Sequence, residues 1–308
     1  MKDANDPLVS IIVITYNSSK FVLDTLESAK AQTYKNIELI ISDDASSDNT
    51  VKICKKWLED NKKRFVRTKL ITSPVNTGVS PNCNRGLREA KGEWIKYIAG
   101  DDVLLPCCIE NNIDFIKKNN NMSIVFSDQI IINESGEKIG VAKNDIKFMQ
   151  LNALEQYKEL LKGKSLVSAP SMFVRMKTLN DLNGFDERYE MMEDYPFFLK
   201  ATKKGYRLFY NPNILIKYRK NPNSLWTGMQ FNKVNDKFLN NIIQFYENIL
   251  FKELIKKRMF FHLWSLFITN KLNKIKLYNP GKYNYYKNLR FLDVFYTKKI
   301  ITKFLFKQ

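Results

Sequence analysis

An α/β fold built on a mixed, mainly parallel sheet flanked by helices is predicted by three observations. Apolar strands run straight into polar loops at three places: Ile11-Ile-Val-Ile-Thr-Tyr-Asn17, Glu38-Leu-Ile-Ile-Ser-Asp-Asp44, and the strand 94–98 followed by Gly100-Asp-Asp102. Segments with helical spacing of apolar residues separate these strands. The strand runs are also nearly continuously apolar, as in parallel strands covered on both faces. In such a sheet the loops gather at the carboxyl ends of the strands, where ligands bind. Three loops rich in carboxylates and amides within one half of the chain point to a nucleotide site.

The elements follow in order. A strand over 9–15 precedes a helix that Ser18 or Ser19 can cap, with Val22, Leu26 and Ala29 on one face. The second strand, 38–42, is followed by a helix capped by Asp48 and carrying Val51, Cys54 and Leu58. A strand over 67–72 leads to a helix opened by Ser80-Pro81 and running to Ala90, with proline in its first turn. The fourth strand spans 94–98, and Pro106 begins a helix with Ile109, Ile113 and Ile116 facing inward. A strand over 124–127 and a hairpin pairing 129–133 with 138–141 come next. Beyond Ser171 the spacing predicts a short strand to Arg175, a helix ending near Gly205, and strands over 206–210 and 214–219.

Composition limits the function classes. With 308 residues the chain holds one large domain, or a catalytic domain with an extension. The net charge of +18 is uneven, since 226–308 carries sixteen Lys/Arg against four Asp/Glu. Cys54, Cys83, Cys107 and Cys108 form no C-x-x-C spacing, so reduced thiols in the cytosol are expected. The first residues, MKDANDP, contain no apolar signal core, and no run approaches the roughly 18 apolar residues of a membrane span. A cytoplasmic protein is the expectation.

Each acidic pair has a chemical and a structural reading. Asp43 and Asp44 could accept an N–H from a nucleobase, or cap the turn 46–50 and its helix. Asp101 and Asp102 could hold Mg²⁺ or Mn²⁺, which take oxygen ligands and often need only one or two protein carboxylates beside substrate phosphates, or cap the helix at Pro106. Glu193 or Asp194 could remove a proton from an attacking hydroxyl, or complement a helix dipole. Taken singly, none decides the matter.

Their order does. The segments 7–17, Gln32-Thr-Tyr34, 36–48, Asn76-Thr-Gly78, Asn84-Arg-Gly-Leu87, Ala90-Lys-Gly-Glu-Trp94, Gly100-Asp-Asp102, Gly184-Phe-Asp-Glu187 and Met192-Glu-Asp-Tyr195 together resemble a family 2 glycosyltransferase of the GT-A fold, over about residues 7–225. The resemblance implies a nucleotide-binding half at about 7–128 and an acceptor half at about 129–225, with 226–308 as a basic helical extension. It implies that Thr15, Tyr16, Asn17, Asp43, Asp44 and Asn84 line the donor nucleotide sugar, usually a UDP-sugar, with Thr15 and Asp44 on the base. Asp101 would lie near the ribose or donor sugar, Asp102 would hold Mg²⁺ or Mn²⁺ on the diphosphate, and Asp194, with Glu193 second, would be the base of an inverting transfer.

Three positions depart from the family pattern. Ala99 and Gly100 precede the acids where D-x-D-D is frequent, Cys83 stands where an Arg is common, and the only histidine, His262, lies far beyond the usual metal-ligand position, near which Asn221 and Asn223 occur. His262 is expected to pack in a helix, Tyr206, Phe209 and Tyr210 to fill core, and Arg175 and Arg219 to sit at the surface or core edge. The basic tail has two open readings: contact with an anionic membrane surface on the inner face of the cell membrane, where a glycan or lipid-linked glycan acceptor would be found, or a helical subdomain that packs on the catalytic unit or forms a homodimer. No nucleic-acid motif accompanies the charge. A sugar nucleotidyltransferase would need a G-x-G-T-R loop that Thr15-Tyr-Asn-Ser-Ser19 does not supply, and a non-catalytic nucleotide-sugar-binding scaffold is the remaining alternative.

Overall fold

The computed structural model describes residues 6–118, 121–163, 166–220, 235–280, 282 and 286–293. In chain order the elements are β1 (Val9–Thr15), α1 (Val22–Lys30), β2 (Ile37–Asp43), α2 (Thr50–Asn61), β3 (Thr68–Thr72), α3 (Val79–Glu89), β4 (Trp94–Ala99), β5 (Val103–Leu104) and α4 (Cys108–Lys117). They continue with β6 (Ile124–Ile132), β7 (Lys138–Ala142), α5 (Ile146–Gln150), α6 (Ala153–Leu160), β8 (Phe173–Arg175), α7 (Met176–Asp181), α8 (Asp194–Lys203) and β9 (Phe209–Arg219). Three further helices follow, α9 (Asp236–Phe245), α10 (Phe251–Lys256) and α11 (Phe260–Tyr278), the first two joined by a π turn at Tyr246–Leu250.

One sheet runs β3-β2-β1-β4-β8-β6-β9-β5, with β7 paired to β6. The first four strands are parallel, β8 is antiparallel to both β4 and β6, and β6 and β9 are parallel again. This is the mixed, mainly parallel α/β sheet the sequence predicts. Alternation along the strands divides the core. Val9, Ile11, Val13, Leu39, Ile41 and Trp94 pack toward α1, α2 and α4, while Ile12, Ile40, Ile95 and Tyr97 face the side of α3 and α8. Each fully buried Ile or Val stabilises the fold by about 1.5–3 kcal/mol.

Several local expectations are corrected. Helix α1 begins at Val22 rather than at Ser18, because the Ser18 carbonyl, not a serine hydroxyl, accepts the Phe21 and Val22 N–H groups. Asp48 stands one residue before the N-cap of α2, Asn49, and still accepts the Thr50 N–H at 2.9 Å. The expected hairpin is present as β6 paired with β7, but its first arm is continuous with the strand over 124–127, and the two strands expected over 206–219 are one, β9, because bulges let each continue past an irregular register. Helices α5, α6 and α7 are additions to the expected elements. Asn152 opens α6 with a reciprocal capping box to Glu155.

The segment holding Asn221, Asn223 and Trp226 lies outside the described residues. Of the basic tail, α9 to α11 share the larger apolar cluster with α6 and α8 through Phe238, Phe245, Leu250, Leu254 and Leu266. Tyr189 and Tyr195 meet Phe245 edge-on at 5.2 Å, and the Asn241 side chain accepts the Met191 N–H at 2.8 Å. One face of the tail therefore packs on the catalytic unit.

Candidate active site

Register fixes which loops meet. Thr15 pairs with Asp43 and Ile14 with Ala99, so the loops after β1, β2 and β4 leave the same edge of the sheet at the same height. Gly100 is demanded by this crowding, since a Cβ there would stand 2.8 Å from Thr15 Cγ2 and 3.0 Å from Ser18 Oγ.

The first two loops are braced by their own polar groups. Thr15 Oγ1 and Ser46 Oγ donate to Asp43 at 2.7 and 2.5 Å, and Ser46 N donates at 2.9 Å. Asp43 thus serves the capping role weighed from the sequence, tying β1 to the loop after β2. Asn17, left-handed at φ 49°, accepts the Ser47 N–H on its Oδ1 at 2.8 Å. Asp44 is almost wholly buried and receives Gly78 N at 2.7 Å, Thr77 Oγ1 at 2.7 Å, Thr77 N at 3.0 Å and the Arg85 guanidinium at 3.2 Å. Its visible work is to hold the Thr77-Gly78 turn. Tyr16 differs from its neighbours: half exposed, it presents an open ring at the end of β1.

Asn84, expected on the donor, has its amide engaged elsewhere. It accepts the Phe185 N–H and donates to the Phe185 carbonyl and to Glu187, all at 2.9 Å, so it clamps the 184–187 loop across α3. Gly184, at φ +62°, permits this approach, because a Cβ would come 2.4 Å from Asn84 Oδ1.

The acid loop after β4 is anchored by Arg219, the last residue of β9. Its backbone N–H donates to Asp102 Oδ1 and its Nε to the Asp101 carbonyl, both at 2.8 Å. Its guanidinium continues to the Glu134 carbonyl at 3.0 Å and Asp24 at 2.8 Å, over the Phe21 ring at 4.6 Å. Arg219 is therefore a buried brace, in line with its expected core-edge place, while Arg175 pairs at the surface with Glu93. His262 sits within α11 and is half-buried. Tyr210, expected in core, is only half-buried and donates to the buried Asp128 at 2.8 Å.

A cleft of about 90 Å³ brings the distant acids together: Asp102, Glu193 and Asp194 line it, with Cys83, Pro170 and Met172 among its walls. Glu193 is the N-cap residue of α8 and Asp194 its first residue, where Asp194 accepts the Tyr195 N–H at 2.6 Å. A helix N-terminus favours the anionic form, yet burial wins. It raises the Asp194 carboxyl above the usual range, and burial first and Asp194 second push Glu193 up to about 8. Burial, then the neighbouring Asp101, raises Asp102 well above a normal aspartate, against the pull of the Arg219 N–H and of Lys96. An acidic cleft whose carboxyls resist ionisation favours a bound cation.

Two residues escaped the sequence reading. Arg85, one place beyond the matched asparagine, bridges Asp44, Thr77 and Asn82. Lys96 is fully buried in β4, donates to the Pro170 and Met172 carbonyls at 2.5 and 3.2 Å, and is lowered by burial to about 8. It pairs with Phe173 and satisfies two carbonyls just before β8 begins, both of which belong to residues that line the cleft. A lysine amid strand-like residues carries no sequence signal for that place.

The metal expectation can be tested on the donor set. Among the described residues no group of three or more His, Cys, Asp or Glu is gathered for a metal. Asp102 offers a cleft-lining carboxylate with one N–H on Oδ1 and Asp101 beside it. That suits Mg²⁺ or Mn²⁺ held largely by substrate phosphates, not a closed protein cage.

The profile of the family described as "Glycosyl transferase family 2" matches residues 10–181. An uncharacterized glycosyltransferase of Rickettsia felis is 29% identical over 217 residues, covering 69% of this chain and 34% of that protein. The chain thus spans about a third of the length of that relative. An uncharacterized glycosyltransferase of Haemophilus influenzae is 27% identical over 98% of both chains. A crystal structure of S. aureus TarS 1-349 in complex with UDP-GlcNAc superposes with a TM-score of 0.60 at 18% identity, covering 95% of this chain and 92% of that one, a likeness of fold. With the profile match extending over more than half of its length, the chain belongs to glycosyl transferase family 2.

Proposed function

We propose that the chain is a Mg²⁺- or Mn²⁺-dependent, inverting glycosyltransferase. It moves a hexose or N-acetylhexosamine from a UDP-sugar to a hydroxyl of a growing cell-surface polysaccharide or glycolipid. The observation that carries this reading is the single cleft lined by Asp102, Glu193 and Asp194, acids from opposite ends of the catalytic region. Support for the donor class comes from the TarS neighbour, whose structures hold UDP and UDP-GlcNAc.

The nucleoside is assigned to the strand-end loops. Tyr16 offers a ring face to the base, Thr15, Asn17 and Asp43 set the loop positions, and Asp44 reaches the base by exchanging one of its protein donors for a base N–H. Asn84 and Arg85 act on the donor indirectly, through the loops they hold. Asp102, with Asp101 beside it near the ribose or sugar, would hold the cation, which when bound stabilises negative charge on the departing diphosphate. Asp194 takes the proton from the acceptor hydroxyl as that oxygen attacks the anomeric carbon on the face opposite the leaving group. The carbon–oxygen bond to the diphosphate breaks in the same displacement, so no covalent intermediate is needed. Its raised pKa suits this work, because a base ionising nearer neutrality is a better proton acceptor.

The test is UDP-sugar hydrolysis and transfer by the purified chain with Mn²⁺. Asp102→Asn and Asp194→Asn should each lower kcat by about 10²- to 10⁴-fold. Wild-type turnover in both variants would remove the proposed mechanism.

A further inference from the structure

While the inner face of the C-terminal helices joins the core, their outer face does not. Phe260 is 60% exposed, Phe261 72%, Trp264 47% and Phe267 39%. Phe260, Trp264 and Phe267 fall at i, i+4 and i+7 of α11, one stripe, which Lys271 extends a turn further with its ammonium 5.4 Å above the Phe267 ring. The Trp264 and Phe267 rings stack at 6.1 Å. Against the start of this stripe stands the turn between α10 and α11, where Lys256, Lys257 and Arg258 are consecutive and exposed. Arg258 holds the turn in a left-handed conformation, φ 55°.

The nearby acids are already engaged. Glu253 receives Lys203 at 2.6 Å, and Glu247 receives Lys274 at 2.6 Å. Lys257 holds its ammonium 6.0 Å above the buried Tyr157 ring and the Lys256 charge acts on Glu253, yet among the described residues none of Lys256, Lys257 or Arg258 forms a direct ion pair. Trp264 donates to the Leu292 carbonyl at 2.9 Å and Phe267 meets the Phe251 ring at 6.4 Å, but the stripe stays largely exposed, and such a stripe beside like charges is costly to leave in water and costly to set against itself. A two-fold dimer through this face would bring each cation cluster toward its copy, and interface cores are depleted of charge.

We infer that the tip formed by Lys256, Lys257, Arg258, Phe260, Phe261 and Trp264 docks on the headgroup layer of an anionic phospholipid bilayer. The cations meet lipid phosphates while the aromatic rings enter the interface. Amphipathic interfacial helices bind by this combination, and no described helix is long and apolar enough to cross a membrane. The inference deepens the proposed transfer to a lipid-carried acceptor, but its measurement does not depend on catalysis.

The experiment is co-sedimentation of the full chain with phosphatidylcholine vesicles, with and without phosphatidylglycerol, at low and high salt. The wild type and Asp102→Asn should both bind the anionic vesicles alone and dissociate as salt rises. Each cation contributes roughly five-fold to partitioning, so Lys256→Gln/Lys257→Gln/Arg258→Gln should weaken binding on the order of a hundred-fold. Phe260→Ser/Phe261→Ser should weaken it while keeping its salt dependence. Both variants change exposed positions, should melt like the wild type, and should keep UDP-sugar hydrolysis. Absence of anionic-vesicle binding by the wild type, or equal binding by both variants, overturns the inference. So does a wild-type dimer in sedimentation velocity that the variants abolish.

Discussion

Replacing Glu193 by Gln separates the two carboxyls at the head of α8. Glu193 stands at about 8 against an ordinary 4.5. Burial is the larger cause and the Asp194 charge the second, so Asp194 ionises first and Glu193 is still protonated while it does so. Glutamine at 193 is then a neutral stand-in across the ionisation of Asp194. The base must be deprotonated to work, so the acid limb of kcat/KM, read from pH 5 to 9 with a UDP-sugar and saturating Mn²⁺, should stay within about 0.3 pH unit of the wild type. What the variant should lose is the second ionisation near 8 and any change of rate the wild type shows there. An acid limb moved by about one unit or more would refute this order of ionisation, and a loss of about 10²-fold or more at every pH would make Glu193 itself the base.

Other outcomes follow from the same geometry. Gly92→Ala places a Cβ 2.5 Å from Ser10 Oγ and 2.6 Å from its backbone N, and should lower urea stability by about 1–3 kcal/mol. Lys96 is charged in the unfolded chain up to about 10.5 but only to about 8 when folded, so the unfolded state binds more protons between these values and stability contributed here rises with pH across that window. Lys96→Met should remove that rise, seen as a wild-type minus variant difference in urea midpoints from pH 7.5 to 10. Arg85→Ala frees the turn that Asp44 holds and should raise the donor KM about ten-fold with a smaller change in kcat.

The parallel half of the fold was legible because β1, β2 and most of β4 are buried on both faces and so are written as near-continuous apolar runs, while β3 at the edge is partly exposed. What the motif residues do was less so. Gln32 looks like a ligand-binding amide in a string, yet it ties α1 to α4 through the Leu105 carbonyl and the Ile109 N–H. Gly86 of the Asn84-Arg-Gly run is set by contact, since a Cβ would lie 2.5 Å from Ile12 Cγ2. Asn84 and Asp44 are likewise spent on loops, and nothing in a one-dimensional pattern separates an amide that holds a loop from one that holds a ligand. Bringing Asp102 to Asp194 depended on β8 and the long β9, whose pairing crosses most of the chain and leaves no local periodicity.

The central claim is that the acids of one cleft surround a departing diphosphate. A crystal structure with UDP and Mn²⁺ tests it most directly. The uracil should lie against Tyr16, the cation on Asp102, and the β-phosphate on the Asp194 side of the cleft. UDP bound elsewhere on the chain, with Asp102 and Asp194 touching neither nucleotide nor cation, would contradict it.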